Sequence, residues 1–353
     1  MKVLEIKLGN NEYKIFINRN SITKIGEYLK ENYSSRKVAI ITDDNLKKLY
    51  GSSLEKTIIN NSFETKIISI KPGEESKSID SLKELYGKLS EFKLTREDLI
   101  LTFGGGVVGD LGGFAASTYL RGIPYIQIPT SLLAQVDSSI GGKVAVDLPW
   151  GKNLVGSFYH PKAVFIDPEL LKTLDKKFFH DGLAEIIKYG CIRDKSIIDE
   201  LMSYKNDDEL LENIDSLIYK CCSIKKTLVE VDERDFGERM LLNFGHTLGH
   251  AVEKYFNYKD YTHGEAVAIG MIHITRNSEK LNLTEEGTSK RIEEILKRFE
   301  LPYNAPKMER ENIDSAIVLD KKNSGENINL IIIKKIGEGI IKKIRIDDLK
   351  DYI

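Results

Sequence analysis

A buried-strand pattern that runs unbroken into a glycine cluster is the strongest constraint in this sequence. Asp98-Leu-Ile-Leu-Thr-Phe103 leads straight into Gly104-Gly-Gly-Val-Val-Gly-Asp110 and then a helix-like stretch through Leu120. Glycines there let the chain turn tightly and approach a phosphate, and the helix that follows offers unpaired N–H groups and partial positive charge. Read alone, the run serves either a nucleotide phosphate or a mere tight turn. The acidic residue usual about 20 positions later in a Rossmann unit is missing, since the next strand reads Pro124-Tyr-Ile-Gln-Ile-Pro129. An upstream strand ends in Thr42-Asp-Asp-Asn45, which offers a ribose-binding carboxylate from the other direction.

The rest of the first half alternates β-branched runs with amphipathic stretches. Strands are expected at 3–8, 12–17, 37–41, 66–70, 98–103, 125–128 and 163–166, with helices at 22–32 and 78–92. That alternation predicts a Rossmann-like, doubly wound parallel sheet. Beyond Leu174 the period becomes helical, at 178–191, 207–230, 239–256, 264–281 and 285–299, with strands only at 329–333 and 340–344. Two domains are therefore expected, an α/β domain over 1–174 and a mainly helical one over 175–353.

Several classes are excluded by composition. The net charge is −2, from 52 basic and 54 acidic residues, which gives no general attraction to nucleic acid or to an anionic membrane. No apolar run approaches the roughly 18 residues of a membrane span. Met1-Lys-Val-Leu-Glu-Ile-Lys7 carries charge inside its apolar run and reads as a first strand rather than a signal peptide. The cysteines Cys191, Cys221 and Cys222 lack CxxC spacing, so neither a disulfide framework nor a thiolate metal site is expected. A small-molecule enzyme of the cytoplasm fits.

Asn243-Phe-Gly-His-Thr-Leu-Gly-His250 sets two histidines four apart, and a backward extension adds Asn243 and Arg239 to the same stripe. A buried polar stripe needs partners, because an unpaired polar group costs about 1–3 kcal/mol. His263 precedes Gly-Glu at another helix start, and Glu185 shares a face with Lys188 on a third. Imidazole and carboxylate donors from three helices suit a catalytic Zn²⁺ with an open position. Each histidine taken singly reads as a hydrogen-bonded core residue; the combination favours the cation. Which two of His246, His250 and His263 bind it stays open at this level. The Glu of HExxH is absent, which argues against a zinc peptidase. His160 and His273 read as structural, His180 as either.

Basic residues recur beside glycine or inside apolar context: Arg121, Lys143, Lys152, Lys188, Lys225 and Arg239. Most basic residues are solvated surface, but cations in this setting, with an Asn and a His, suit a small substrate bearing phosphate and carboxylate.

In these and further blocks the chain resembles the 3-dehydroquinate synthase family of sugar-phosphate cyclases. The blocks include Pro72-Gly-Glu-Glu-Ser-Lys77, Tyr119-Leu-Arg-Gly122, Ile128-Pro-Thr-Ser131, Gln135-Val-Asp-Ser-Ser-Ile-Gly-Gly-Lys143, Gly151-Lys-Asn153, Asp232-Glu-Arg234, His263-Gly-Glu-Ala-Val-Ala-Ile-Gly270 and Asp320-Lys-Lys322. The resemblance implies an active site in the interdomain cleft, a homodimer, NAD and one divalent metal, zinc or cobalt. By resemblance Glu185, His246 and His263 are the metal ligands. NAD falls to Asp43, Asn45, Glu74, Lys77, Gly105, Gly106, Val107, Val108, Gly109, Asp110, Thr130, Ser131 and Thr173, with Lys143 and Lys152 divided between cofactor and substrate. Substrate falls to Arg121, Asp137, Lys143, Lys152, Asn153, Lys188, Lys225, Arg239, Asn243, His250 and one of Lys321 or Lys322. Among these, Lys152, Lys188, Asn243 and His250 are the catalytic candidates. Ser131 stands where the family often has Thr.

The implied reaction converts 3-deoxy-D-arabino-heptulosonate 7-phosphate to 3-dehydroquinate and phosphate. The C5 hydroxyl is oxidised, phosphate is eliminated, the ketone is reduced again and an intramolecular aldol step closes the ring, so that NAD is regenerated. No dedicated protein base for the elimination is evident in the sequence. The alternatives are another cyclase of this kind and a metal-dependent polyol or glycerol-phosphate dehydrogenase.

Overall fold

The computed structural model describes residues 2–9, 11–34, 36–308 and 327–353. They fall into two units, 1–174 with 214–230 and 175–213 with 231–353. Within the first, nine strands occur: β1 Lys2–Ile6, β2 Tyr13–Ile17, β3 Lys37–Asp43, β4 Glu64–Ile70, β5 Leu99–Gly104, β6 Tyr125–Pro129, β7 Lys143–Leu148, β8 Gly151–Phe158 and β9 Ala163–Ile166. Seven of them form one sheet in the order β1-β2-β9-β6-β5-β3-β4, parallel except for the antiparallel edge pair β1-β2.

Period-2 alternation divides each central strand between two cores. Val38 and Ile40 of β3, with Leu99, Leu101 and Phe103 of β5, join Ile25, Leu29, Leu54 and Ile58 from the helices Ile25–Asn32 and Ser52–Ile59. Ala39, Ile41 and Ile100 face the other way, onto Leu82, Leu85 and Leu89 of the helix Ile79–Glu91 and Val108, Leu111 and Phe114 of the helix Gly106–Thr118. Both faces are covered, which is why the central strands read as unbroken apolar runs. Each fully buried Leu or Ile contributes about 1.5–3 kcal/mol of transfer free energy.

The sequence reading missed the hairpin β7-β8, which turns at Pro149-Trp150 and packs Val144 against Gly113, where a Cβ would lie 2.5 Å from Val144. The expected division also placed the whole of 207–230 in the helical half. Instead, 214–230 of the helix Asp207–Val231 packs with the α/β unit. Its fastenings are the Arg19 guanidinium on Asp215 at 2.6 Å, with Arg19 itself held by Glu169 at 2.6 Å, and Lys7 N–H donating to Glu230 at 2.7 Å.

The second unit holds the helices Lys176–Ile192, Lys195–Ser203, His246–Tyr255, His263–Lys280 and Thr288–Arg298 and a hairpin of β10 Asn327–Lys335 and β11 Glu338–Arg345. The expected helix over 239–256 is broken in two. A 3₁₀ turn Glu238–Asn243 ends before Gly245, whose φ of 80° starts a new helix at His246. A side chain at Gly245 would strike Met271 and the carbonyl of Val267 at 2.5–2.7 Å, and one at Gly270 would fall 1.9 Å from the carbonyl oxygen of Gly245. Close approach of two helices through glycine therefore outweighs continuation of the helix. Among the described residues no helix is long and apolar enough to cross a membrane.

Candidate functional site

In the second unit, residues 179–192 of the helix Lys176–Ile192 are all buried, and within that stretch Glu185 and Lys188 sit one turn apart. Glu185 is 0% exposed and neither of its carboxylate oxygens has a hydrogen-bond partner; the Lys188 ammonium meets Oε2 as an ion pair. A buried carboxylate in that state is costly unless a further cation satisfies it.

Two imidazoles face the same oxygen. His246 is the first residue of its helix and His263 the first of the next, which Thr262 and Glu265 open with a reciprocal capping box. Their Nε2 atoms lie 3.5 and 3.4 Å from Glu185 Oε1. Ligands of a tetrahedral zinc ion at about 2.1 Å are themselves about 3.4 Å apart. The donor set thus matches a cation in spacing as well as in chemistry, and one ligand atom from each residue falls within 4.8 Å of the others.

Tautomers agree. His246 Nδ1 is 3.1 Å from the carbonyl oxygen of Phe244, which can only accept, so Nδ1 carries the proton and Nε2 keeps its lone pair. Burial, reinforced by Lys188 and the neighbouring histidines, pushes His246 well below the usual imidazole range and holds it neutral, as a metal ligand must be. Burial presses His263 the same way, but Glu185 and Glu253 reverse it and raise His263 well above that range. The same negative potential would attract a cation. His250 stands one turn along from His246, with ring centroids 5.4 Å apart, and 6.2 Å from His263.

Arg239 and Asn243 belong to the 3₁₀ turn before Gly245, so they do not continue the histidine stripe. Arg239 is buried, its guanidinium donating to the Glu233 carbonyl at 2.6 Å. His180 pairs with Asp207 at 2.8 Å, a structural contact. Lys321 and Lys322 lie outside the described residues.

In the first unit the cofactor candidates gather at the carboxyl ends of the parallel strands. The sheet order reverses between β3 and β5, and open α/β sheets bind ligands at such a switch point. Asp43 ends β3 and Gly104 ends β5, and the Thr42 hydroxyl bridges the two strands by donating to the Phe103 carbonyl at 2.7 Å. Asp43 Oδ1 accepts from the amides of Asn45 and Leu46 at 2.9 and 3.0 Å. Thr130 and Ser131 follow β6, Glu74 and Lys77 follow β4, and Thr173 follows β9, its hydroxyl 2.8 Å from that of Tyr50.

The glycines act through packing rather than through left-handed backbone. A Cβ at Gly104 would meet Val108 at 2.5 Å, and at Gly112 it would meet Thr102 at 2.5 Å. Gly105 has φ −72°, within reach of any residue, but a Cβ there or at Gly106 would crowd Ser131 or Ser138 at 3.4 and 3.3 Å. The helix begins at Gly106, and Gly109 N–H is bonded to the Gly105 carbonyl at 3.0 Å. The amides of Gly106, Val107 and Val108 thus precede the first helical bond and are available to an anion.

Beside that turn the buried Lys77 ammonium sits 2.6 Å from Asp110 and 3.8 Å from Glu74, and Lys152 is 3.6 Å from Glu74. Burial alone would depress Lys77; Asp110 and Glu74 more than reverse that and keep it charged. Asn153 takes φ 56° and its N–H donates to Asp147 at 2.8 Å, while Lys143 starts β7. Asp137 forms an ion pair with Lys225, whose ammonium also donates to the Asp137 carbonyl at 2.7 Å. Arg121 stands apart. It follows the far end of the glycine-turn helix, about 20 Å from Gly105 for a helix of this length, on backbone with φ 69°.

Three side chains escaped the sequence reading: Glu253, Asp181 and Tyr50. Glu253 could have been found by extending the histidine stripe forward, since 246, 250 and 253 share one helix face. Asp181 and Tyr50 had no comparable signal.

The chain has the fold of the sugar-phosphate cyclases. A 2-deoxy-scyllo-inosose synthase structure, complexed with carbaglucose-6-phosphate, NAD⁺ and Co²⁺, matches with a TM-score of 0.85 at 24% identity over 99% of each chain. A 2-epi-5-epi-valiolone synthase from Streptomyces hygroscopicus, with NAD⁺ and Zn²⁺ bound, matches at 0.86 and 24% identity over 98% of this chain and 96% of that one. The family models described as 3-dehydroquinate synthase N-terminal and C-terminal match residues 67–181 and 182–323. The 3-dehydroquinate synthase of Clostridium kluyveri is 56% identical over 353 residues, 100% of this chain and 98% of that protein. The chain belongs to the 3-dehydroquinate synthase family.

Proposed function

We infer that the chain converts 3-deoxy-D-arabino-heptulosonate 7-phosphate to 3-dehydroquinate and phosphate, a phosphate-eliminating carbon–oxygen lyase reaction. The observation that carries the reading is 56% identity, end to end, with a protein named for that activity. The metal-binding candidates Glu185, His246 and His263 support it, because they converge with ligand-like spacing.

Glu185, His246 and His263 would hold zinc or cobalt, and the carboxyl edge of the sheet, with the amides at Gly106, would hold NAD. Bound there, the cation supplies Lewis acidity to the vicinal hydroxyls and the nicotinamide a reversible hydride acceptor. The chain's own residues position and neutralise. Lys188, fixed beside Glu185, keeps positive charge next to the hydroxyl that must lose a proton. Lys152 and Asn153, on β8, and Asn243 and His250 bind the phosphate, and restraining one conformer lowers the entropic part of the barrier. Lys225 and Arg239 take the carboxylate; Lys225 must share or exchange its contact with Asp137 to do so. His250 is the proton carrier of this reading. The reading extends to a homodimer residing in the cytoplasm.

The test is phosphate release from the heptulosonate phosphate, with sedoheptulose 7-phosphate and glucose 6-phosphate alongside. Release from the first alone, abolished by chelator and without net NADH, is expected. Equal release from the substrates that lack a carboxylate, or steady NADH accumulation, would overturn the reading in favour of another cyclase or a dehydrogenase.

A further inference from the structure

Glu253 is 3% exposed, lies on the same helix as His246 and His250, and is needed by none of the steps above. Its Oε2 is 3.5 Å from Nδ1 of His263, while the other nitrogen of that ring is 3.4 Å from Glu185 Oε1. One imidazole therefore bridges two buried carboxylates through its opposite nitrogens.

Resting on the metal reading above and deepening it, we propose that Glu253 is a positioning residue: its carboxylate accepts the Nδ1–H of His263, fixes the tautomer and aims Nε2 at the cation. His246 is aimed by a backbone carbonyl, which carries no charge; His263 is aimed by a full negative charge, which makes it the more basic ligand. Charge balance points the same way. A divalent cation beside the Glu185–Lys188 ion pair and two neutral imidazoles leaves two positive charges, and Glu253 offsets one of them inside the unit.

The competing role is direct ligation, since atoms of His250, Glu253 and His263 also come within 4.8 Å of one another. Against that stands the bonding state of the two carboxylates. Both oxygens of buried Glu185 lack hydrogen-bond partners, whereas Glu253 Oε2 has one in His263 Nδ1. One ring cannot present both nitrogens to one cation, so the ion goes to Glu185 and the proton to Glu253.

The experiment measures zinc affinity against a competing chelator, and the visible spectrum of the cobalt form, for the parent chain, Glu253→Gln and Glu253→Ala. Glutamine keeps an acceptor and the volume but drops the charge; alanine drops both. Loss of an outer partner weakens metal binding about 10–100-fold. Glutamine is expected near the lower end and alanine near the upper, with cobalt bands unshifted because the ligand set is intact. Parent-like zinc affinity in both variants overturns the proposal, as does a cobalt spectrum reporting a lost ligand. Should alanine not fold, glutamine alone decides. A parent chain that binds neither ion defeats the metal reading itself; a parent that binds both while the variants bind equally well defeats only the role of Glu253.

Discussion

The backbone N–H of Gly264 donates to Asp181 Oδ1 at 2.5 Å, and a Cβ at position 264 would fall 2.1 Å from the Asp181 carbonyl oxygen. Asp181 precedes Glu185 by one helical turn and Gly264 follows His263, so this one contact sets the separation between a candidate metal carboxylate and a candidate metal imidazole. Gly264→Ala should force the two helices apart. Overpacking costs about 1–3 kcal/mol, and the upper end is expected because the clash is with backbone. Calorimetry should show a lowered melting temperature together with reduced bound zinc; unchanged values of both would mean that the contact does not set the spacing.

Metal removal should cost stability as well as activity. An ion that binds only the folded chain stabilises it by about 4 kcal/mol at a thousand times its dissociation constant. Urea unfolding with and without zinc should therefore differ by that order in the parent chain. In Glu185→Ala the difference should disappear. A stabilisation that survives in Glu185→Ala would place the ion elsewhere.

What the sequence disclosed and what it hid follow from the range of the interactions involved. The strands β3, β5, β6 and β9 were legible because both faces of each are buried, which writes an unbroken apolar run into the chain. The hairpin β7-β8 was not, because no residue of β8 is fully buried and no apolar run marks it. The sequence pattern nominates Glu185 with His246, His250 and His263, and the family resemblance selects His246 and His263 among them, but the common focus of these two on one Glu185 oxygen depends on Gly245, Gly264 and Gly270, glycines whose reason is a contact with a distant segment. The same long-range packing broke the expected helix over 239–256. Lys225 and Asp137 lie far apart in sequence, and no local pattern announces that they form an ion pair.

That pair makes a further expectation. The side chains of Lys225 and Asp137 are 7% and 17% exposed, so removing one partner leaves the other nearly dehydrated. Breaking a buried pair from one side costs about 3–5 kcal/mol, whereas removing both is far milder. In a double-mutant cycle, Asp137→Ala with Lys225→Ala should be less destabilising than the sum of the single changes by about 1–3 kcal/mol. Strict additivity in urea unfolding would mean that the two groups are not coupled.

The loop before Arg239 should have an acid-sensitive stability. Burial presses the Asp232 carboxyl upward, but the amides of Gly237, Phe236 and Arg239, at 2.6, 3.1 and 3.2 Å, together hold it below the usual carboxylate range. A group depressed in the folded chain contributes stability that is present above its unfolded value, near pH 3.9, and is lost as pH falls through the lower folded one. Asp232→Ala should cost about 1–2 kcal/mol at neutral pH, the price of three amides without an acceptor. The difference from the parent in urea unfolding should stay level down to about pH 4 and shrink below it. A difference that grows as the solution is acidified would contradict the sign of the shift, because protonation of a carboxylate held by amides can only weaken the parent chain.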